Sequence, residues 1–154
     1  MYMMKFKSNL KKRIPSAIID CGIMFGITIT YIKYFGEPSE TGHSVHGLMS
    51  LPLILIWIIY FPVIETFFGA TAAHLLFDLR VVTVERQKVT FSQSIKRHLV
   101  DPIDYIIYGI PAFITIKYTE RHQRIGDLLA GTIVIDVSDP EQVKPRDESG
   151  ENAT

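Results

Sequence analysis

The hydrophobic residues of this chain are concentrated in three blocks that polar segments separate. Ile14–Phe35 and Gly47–Phe68 each contain 22 residues, whereas the third block, DPIDYIIYGIPAFITI at residues 101–116, contains only 16. A helix of 22 residues is about 33 Å long, close to the bilayer's hydrocarbon thickness of about 30 Å. The first two blocks therefore predict two transmembrane helices, and Pro52 and Pro62 are expected to bend the second one.

The third block is short, and Gly109 and Pro111 interrupt it. It begins and ends beside positively charged residues, and a segment of this length more often lies at the interface or re-enters than spans. We expect a broken, re-entrant segment here, and a true third crossing is the alternative.

After the second block, β-branched residues replace the helical pattern. LRVVTV at Leu79–Val84 and VTF at Val89–Phe91 flank ERQK, which is typical of a β-hairpin, and GTIVIDV at Gly131–Val137 is a third β-branched run. Together the three runs predict one small sheet. They must then lie on the same side of the membrane.

The distribution of positive charge orients these segments. Five of the sixteen Lys and Arg residues precede the first block, and the polar loop that follows it has none from Phe35 to Leu48. By the positive-inside rule the N-terminus, the sheet and the C-terminus are cytoplasmic, and that loop lies outside. A signal peptide is the alternative for the basic start, but the apolar run is longer than a signal h-region and no small-residue cleavage site follows it.

The predicted fold is therefore mainly α-helical: a multi-pass protein of the cell membrane with two long transmembrane helices, a short third segment and a small cytoplasmic β element. Residues 1–137 form the membrane domain, and the polar residues 138–154 form a disordered tail. The bilayer is the expected partner. A net charge of zero gives no reason to predict nucleic-acid binding.

Motifs for catalysis and for cofactors are missing from the sequence. It contains no nucleophile elbow, HExxH motif or phosphate-binding glycine loop, so we expect neither enzymatic activity nor a cofactor. His43 and His46 lack a third ligand nearby, so no metal site is predicted. The single cysteine, Cys21, excludes an internal disulfide.

Asp20 places a carboxylate among the isoleucines of the first predicted span. A charge near the middle of a lone span costs about 2.5–3.5 kcal/mol, so Asp20 should face protein or water and have a partner. Arg13 lies on the same helical face, but about 10.5 Å away along the axis, which is too far for a direct ion pair. Asp20 either belongs to an ion or substrate path or forms hydrogen bonds that only fix helix packing.

Other carboxylates lie near the predicted ends of the apolar blocks. Glu65 is expected either to be solvated at the cytoplasmic surface or to join Asp20 in a polar cluster. Asp101 and Asp104 share a helical face, and the favoured interpretation is that they cap a helix starting at Asp101-Pro102.

The segment RHQRIGDLLAGTIVI places Arg121, Arg124 and Asp127 three residues apart. One interpretation is an amphipathic turn whose charges are solvated. The other is that Asp127 pairs with Arg13, which needs a carboxylate at its own cytoplasmic depth. We favour this pairing, which leaves Asp20 as the freer carboxylate.

Three segments of the chain resemble the RDD family of small integral membrane proteins, which is named for one arginine and two aspartates. They are RIPSAIID, IETFFGATAAHLLFDLRVV and RHQRIGDLLAGTIVI, and the resemblance extends over roughly residues 12–136. One departure is Ala73-His74, where the family usually has Gly-Lys. The residues that match the family pattern are Arg13, Asp20, Glu65, Thr71, Gly126, Asp127, Gly131 and Thr132.

The resemblance implies transport of an ion or small ligand, with cation/proton antiport proposed for some members of the family. In this hypothesis Asp20 and Glu65 line an ion or proton path, and Arg13, Asp127 and Arg124 form a gate. Two or three spans cannot enclose a pathway, so transport requires a homo-oligomer or a larger membrane partner. The alternative is a non-transporting scaffold or accessory subunit, in which these charges only lock the spans and the sheet together.

Overall fold

The structure, a computed structural model, describes residues 6–40, 42–102 and 109–143. Most of its regular structure is helical. The helices are α1 (Leu10–Phe35), α2 (Leu51–Ile58), α3 (Ile64–Phe68), α4 (Ala72–Leu76), α5 (Phe91–His98), α6 (Ile110–Tyr118), α7 (Ile125–Ala130) and α8 (Pro140–Val143). The strands are β1 (Glu37–Ser39), β2 (Gly42–Ser44), β3 (Leu79–Thr83) and β4 (Thr132–Asp136).

Helix α1 buries one polar face and exposes several large apolar side chains. Its buried residues are Arg13, Ser16 and Asp20, which share one helical face. Ile18 and Phe25, in contrast, are 66% and 69% exposed. A helix surrounded by water would show the opposite pattern, so this arrangement suits a helix whose outer face contacts lipid.

The second apolar block forms one long, irregular helix. It begins with a 3₁₀ turn at Gly47–Ser50, continues through α2, a π-helical segment at Ile59–Val63 and α3, and ends at Gly69. In the described part of the chain, two helices are long and apolar enough to cross a membrane, Leu10–Phe35 and Gly47–Phe68. They correspond to the two predicted spans.

The two prolines of this helix have different roles. Pro62 lies within the π-helical segment, where the hydrogen-bond ladder is irregular. Pro52 lies in the first turn of α2, and the bend predicted there stays a prediction. An N–H group there has no intrahelical acceptor, so a proline starts the helix without breaking a bond.

The β structure differs from the predicted three-stranded sheet. β3 pairs antiparallel with β4, and Val81 lies opposite Val134. In the described residues, the VTF run contributes no strand to this sheet, and Lys88 forms only an isolated bridge with Val82. The predicted hairpin fails because Thr90 and Gln93 form a capping box that starts α5 at Phe91, so the chain leaves the sheet. A second small antiparallel pair, β1 with β2, lies in the loop between the two long helices, where we predicted only a polar loop.

The third apolar block is described only in part. Residues 103–108, on which the predicted re-entry depends, lie outside the described residues. Gly109 has a positive φ of 76° and starts α6, which has nine residues. A helix of nine residues is about 13.5 Å long and cannot by itself cross a core of about 30 Å.

The end of the described chain packs against its beginning. Lys12 Nζ lies 2.6 Å from an Asp136 carboxylate oxygen, and Lys7 Nζ lies 2.6 Å from one of Asp139. Gln142 is buried in α8 and accepts a hydrogen bond from Asn9. Residues 138–143, which we assigned to the disordered tail, are therefore packed against the membrane domain, and residues 144–154 lie outside the described residues.

Candidate functional site

Three arginines converge on the carboxylate of Asp127, which is completely buried. Arg13 Nη2 donates to Oδ2 at 2.7 Å, and Arg97 Nη1 lies 3.1 Å from Oδ1. Arg124 contributes its Nε, 3.4 Å from Oδ1, and its backbone N–H, 3.1 Å from Oδ2. The contact between Arg13 and Asp127 is therefore present as predicted, and the solvated amphipathic turn is excluded.

These four residues come from three separate elements. Arg13 lies in the first turns of α1, Arg97 lies near the end of α5, and Arg124 with Asp127 begins α7. Asp127 accepts the backbone N–H of Arg124, which is the N-cap residue of α7. One carboxylate thus joins α1 to α5 and α7.

The remaining residues of the RDD-like pattern in this region allow close packing. A Cβ atom at Gly126 would lie 2.3 Å from the carbonyl oxygen of Arg97, so only glycine lets α7 approach α5. Gly131 has a φ of 63° and ends α7 in the left-handed conformation that glycine favours. Thr132 is fully buried at the start of β4, and its carbonyl accepts a hydrogen bond from Gln123.

Glu65 lies in a second ionic group that shares Arg97 with the first. Ser94 donates to Glu65 at 2.7 Å, His98 Nε2 lies 3.1 Å from its other oxygen, and Arg97 Nε lies 3.5 Å away. Glu65 is 0% exposed, so the expectation of a solvated interfacial residue is wrong. It does belong to a polar cluster, but its contacts are with α5 rather than with Asp20.

Asp101 completes this group. Its carboxylate lies 2.6 Å from His98 Nδ1 and 2.8 Å from Arg124 Nη1. Asp101 is buried and lies at the start of a helical segment, residues 101–102, and the residues that a capping hydrogen bond would reach lie outside the described residues. Asp104 lies outside the described residues. We call the connected residues the charge cluster, which consists of Arg13, Glu65, Arg97, His98, Asp101, Arg124 and Asp127.

Arginine neighbours control the protonation state of Asp127. Burial alone would raise the pKa of this carboxyl, but the positive charges of Arg97, Arg13 and Arg124 and the hydrogen bond from the Arg124 backbone hold it well below its ordinary value. Asp127 is therefore ionised in the folded protein at any pH near neutrality.

The pKa values of the two buried histidines shift in opposite directions. Burial lowers the pKa of His98, but hydrogen bonds to Asp101 and Glu65 and their negative charges outweigh burial and raise it above its ordinary value. Burial dominates for His74 and lowers its pKa, although the hydrogen bond to Asp20 acts in the other direction. A protonated His98 gives the charge cluster one net positive charge, because its three arginines otherwise balance its three carboxylates.

Asp20 lies in a separate group of hydrogen bonds, which we call the Asp20 site. Tyr60 Oη donates to Oδ1 at 2.6 Å, and the backbone N–H of Ala73 donates to the same oxygen at 3.2 Å. Thr71 Oγ1 donates to Oδ2 at 2.5 Å, and His74 Nδ1 lies 3.6 Å from Oδ2. Asp20 is 3% exposed, so the prediction that it is the freer carboxylate is wrong.

Thr71 connects this site to α4. It is the N-cap residue of α4, and its hydroxyl oxygen accepts the backbone N–H of His74 while its proton is donated to Asp20. His74 Nδ1 also lies 2.6 Å from Thr71 Oγ1, which fits a neutral imidazole that carries its proton on Nδ1. An unbroken chain of hydrogen bonds therefore runs from Asp20 through Thr71 to His74.

Sequence reasoning missed Arg97 and His98, which hold the centre of the charge cluster. A signal for them exists in the sequence. Thr90 and Gln93 have capping-box spacing, and Ser94, Arg97 and His98 then follow at the i, i+3 and i+4 positions of one helical face. This spacing places the three side chains on one face, and the structure shows that this face is buried.

A cleft of about 590 Å³ lies beside both groups, between α1 and α6. Arg13, His74, Arg97 and Arg124 reach its lining, and the rest of the described lining is mostly apolar. Among the described residues, no group of three or more His, Cys, Asp or Glu side chains is arranged to hold a metal ion.

The family comparison agrees with the pattern of Arg13, Asp20 and Asp127. A family model described as the RDD family matches residues 7–131, which is most of the chain. The chain belongs to the RDD family. The family resemblance drawn from the three sequence segments is thus confirmed.

One curated relative of this RDD protein is the uncharacterized membrane protein YteJ of Bacillus subtilis (strain 168). The two are 30% identical over 99 residues, which cover 64% of this chain and 59% of YteJ, so the match spans less than two thirds of that relative's length. No solved structure matches the chain. Family membership, this membrane relative and the two long apolar helices make the chain an RDD-family membrane protein.

Proposed function

We propose that this RDD protein is a non-transporting membrane module, a scaffold or accessory subunit whose two spans hold a folded head at the membrane surface. The head comprises the described residues from Gly69 onward. The observation that carries the proposal is that Asp20 is buried and both its oxygens accept hydrogen bonds from protein groups. A carboxylate bonded in this way fixes helix packing.

The connectivity of the buried groups supports the same role. Asp20 joins α1 to the second span through Tyr60 and to α4 through Thr71. Asp127 joins α1 to α5 and α7. Each polar group thus links a membrane helix to the head. The proposal includes neither catalysis nor a cofactor.

The orientation we propose has the start of α1 and the head together on the cytoplasmic side of the cell membrane. The pairs Lys12–Asp136 and Lys7–Asp139 support this, because they join the residues around the start of α1 to the end of the sheet. In this role the protein would bind a larger membrane partner or a second copy of the chain, and the head would provide the contact.

The first experiment measures the stability of the Asp127→Asn variant in detergent. Asparagine keeps the volume but removes the charge that three arginines face, so we expect a loss of about 3–5 kcal/mol in the free energy of unfolding. Glu141→Gln is the matched control, because Glu141 is exposed and pairs only with Lys7 among the described residues. A loss below about 1 kcal/mol would contradict a locking role. A charge swap with Arg13 is not a suitable rescue, since Arg97 and Arg124 would then face a third arginine.

The second experiment measures ion flux in reconstituted vesicles. Vesicles that contain the wild-type protein and a pH-sensitive dye are given a sodium or potassium gradient, and protein-free vesicles serve as the reference. The scaffold proposal expects equal dye responses in both. A wild-type flux that the Asp20→Asn variant abolishes, while the variant still inserts and assembles, would overturn it.

Proton or cation transport through an oligomer is the second candidate function. It is favoured by the chain of hydrogen bonds from Asp20 through Thr71 to His74, since His74 also lines the cleft. Asp20 would exchange its proton along this chain, Glu65 would belong to the path, and Arg13, Arg124 and Asp127 would form the gate. If this function is correct, vesicles that contain the wild-type protein will show an ion flux, whereas the scaffold proposal predicts none. Transport also requires a homo-oligomer or a larger membrane partner.

A further inference from the structure

The cleft between α1 and α6 has a basic end, and the rest of its lining is mostly apolar. Its basic members are Arg13, Arg97 and Arg124, with His74 as a neutral hydrogen-bonding group, and no Asp or Glu is among the described residues that line it. Its volume of about 590 Å³ lies within the usual range for small-molecule sites, about 300–1,000 Å³. Charge complementarity therefore points to an anionic ligand.

The guanidinium of Arg97 has hydrogen-bonding capacity left over. Arg97 is 1% exposed, yet its Nε and Nη1 atoms make no hydrogen bond among the described residues. Nε lies 3.5 Å from an oxygen of Glu65, and Nη1 lies 3.1 Å from an oxygen of Asp127, but neither N–H group is aligned to donate a hydrogen bond to that oxygen. A buried donor without an acceptor is costly, and an anion in the cleft would supply more negative charge to this arginine.

The apolar part of the lining continues away from the basic groups along α1. Ala17 and Cys21 follow Arg13 on the same side of the helix, about 6 Å and 12 Å further along its axis. Ile110 and Phe113 of α6 form the opposite wall, and both are about half exposed. The cleft therefore has a basic end and an apolar slot that runs along α1. This lining is complementary to an amphiphile with an anionic head and an apolar tail.

We propose that this cleft binds an anionic phospholipid, with its phosphate at Arg13, Arg97 and Arg124 and an acyl chain between α1 and α6. Basic pockets between membrane helices on the cytoplasmic side suit such headgroups, because anionic lipids are enriched in that leaflet. The single phosphate charge also matches the one net positive charge of the charge cluster when His98 is protonated. Binding goes beyond the scaffold role, and its assignment to the cytoplasmic leaflet rests on the orientation proposed above.

The test uses tryptophan fluorescence and brominated lipids. The chain has one tryptophan, Trp57, which does not line the cleft among the described residues. In a Trp57→Phe background, the Phe113→Trp substitution places a single reporter in the cleft wall. Brominated phosphatidylglycerol and brominated phosphatidylcholine are then compared as quenchers in bilayers of otherwise equal composition.

We expect phosphatidylglycerol to quench the cleft reporter with at least about fivefold higher relative affinity. The native Trp57 reporter should not distinguish the two lipids. The matched variants are Ala17→Phe, which fills the slot, and Ile19→Phe, which adds the same ring to the exposed side of α1 outside the cleft lining. The first should abolish the preference and the second should retain it, and neither alters the charge cluster.

Three results would overturn the proposal. Equal quenching of the cleft reporter by the two lipids would mean that the cleft has no headgroup selectivity. A preference that survives in the Ala17→Phe variant would place the lipid elsewhere on the protein. Loss of the preference on adding millimolar inorganic phosphate, at constant ionic strength, would identify a site for a small free anion instead of a lipid.

Discussion

Asp20 and Asp127 are both buried aspartates, but they bind different kinds of donor. Asp127 is surrounded by guanidinium groups and is therefore held as an anion. Asp20 accepts hydrogen bonds from a phenol, an alcohol and a backbone amide, all of which are neutral. Removing the charge at Asp127 leaves three cations facing one another, whereas Asp20→Asn leaves only a changed set of hydrogen bonds.

His98 should make the stability of the protein depend on pH. Its pKa is raised in the folded state above the value of about 6.5 that it has when unfolded, so its contribution is fully present below that pH and is lost as the pH rises through the folded value. The groups that face it are Glu65, Asp101 and the ring of Phe61. We expect the difference in melting temperature between wild type and His98→Gln to be larger at pH 6 than at pH 9.

This difference isolates His98 because His74 titrates equally in both proteins. The lowered pKa of His74 acts in the opposite direction, since it weakens the folded state as the pH falls below its unfolded value. Thermal unfolding in a neutral detergent provides the measurement. A melting-temperature difference that grows with rising pH would contradict the raised pKa of His98.

The sequence predicts an individual contact well only where the position of a residue in the membrane restricts which partners can reach it. Arg13 needed a carboxylate at its own cytoplasmic depth, and that requirement correctly identified Asp127. For Asp20 no comparable restriction was visible, because Tyr60 and Thr71 have many other roles in a membrane protein. The partners of Asp20 depend on how the second span folds back against α1, which hydropathy does not specify.

At the level of helices and strands, prediction worked where composition alone decides the structure. The two spans follow from length and hydropathy, so their positions agreed with the structure. The prediction of a third strand failed because VTF favours a strand by composition, whereas the capping box of Thr90 and Gln93 starts α5 at Phe91, the last residue of that run. Local hydrogen bonds of a capping box thus override weak strand propensity.

The packing of α7 on α5 gives a prediction for Gly126. The Gly126→Ala variant adds a Cβ atom 2.3 Å from the Arg97 carbonyl oxygen, so the two helices must separate and the charge cluster must widen. We expect a loss of about 1–3 kcal/mol in unfolding free energy, as for other overpacked sites. Thermal unfolding in detergent measures it.

Gly26→Ala is the control for that substitution. Gly26 lies within α1, and a Cβ atom there would meet no heavy atom within 4 Å. Alanine should therefore be neutral or stabilise the helix by up to about 1 kcal/mol. Equal stabilities of the Gly126→Ala variant and wild type would show that α7 does not need this close approach.

For the whole molecule, the pairs Lys12–Asp136 and Lys7–Asp139 constrain topology. In the orientation that we propose, these pairs keep the start of α1 and the end of β4 on one side of the membrane, and the β1–β2 loop follows one crossing. Lys7 has its pKa raised to about 12 by hydrogen bonds to Asp139 and Glu141, and Asp139 has its pKa lowered to about 2 by Lys7, so the pair stays charged near neutral pH.

Cysteine labelling tests this topology. In a Cys21→Ser background, the Glu40→Cys and Ser138→Cys variants each introduce one thiol at an exposed position. We expect a membrane-impermeant maleimide to label the first variant in intact cells and the second only after the cells are permeabilised. Labelling of both variants in intact cells would contradict the proposed orientation.

The buried polar face of α1 also affects how the protein can be made. Asp20 is synthesised 40 residues before Tyr60 and 51 residues before Thr71, the two side chains that donate to it. If α1 entered the bilayer first and alone, its carboxylate would lack both donors in a medium where that is costly. The first two hydrophobic segments should therefore leave the insertion machinery as a pair, with the earlier one held there until the later one emerges from the ribosome.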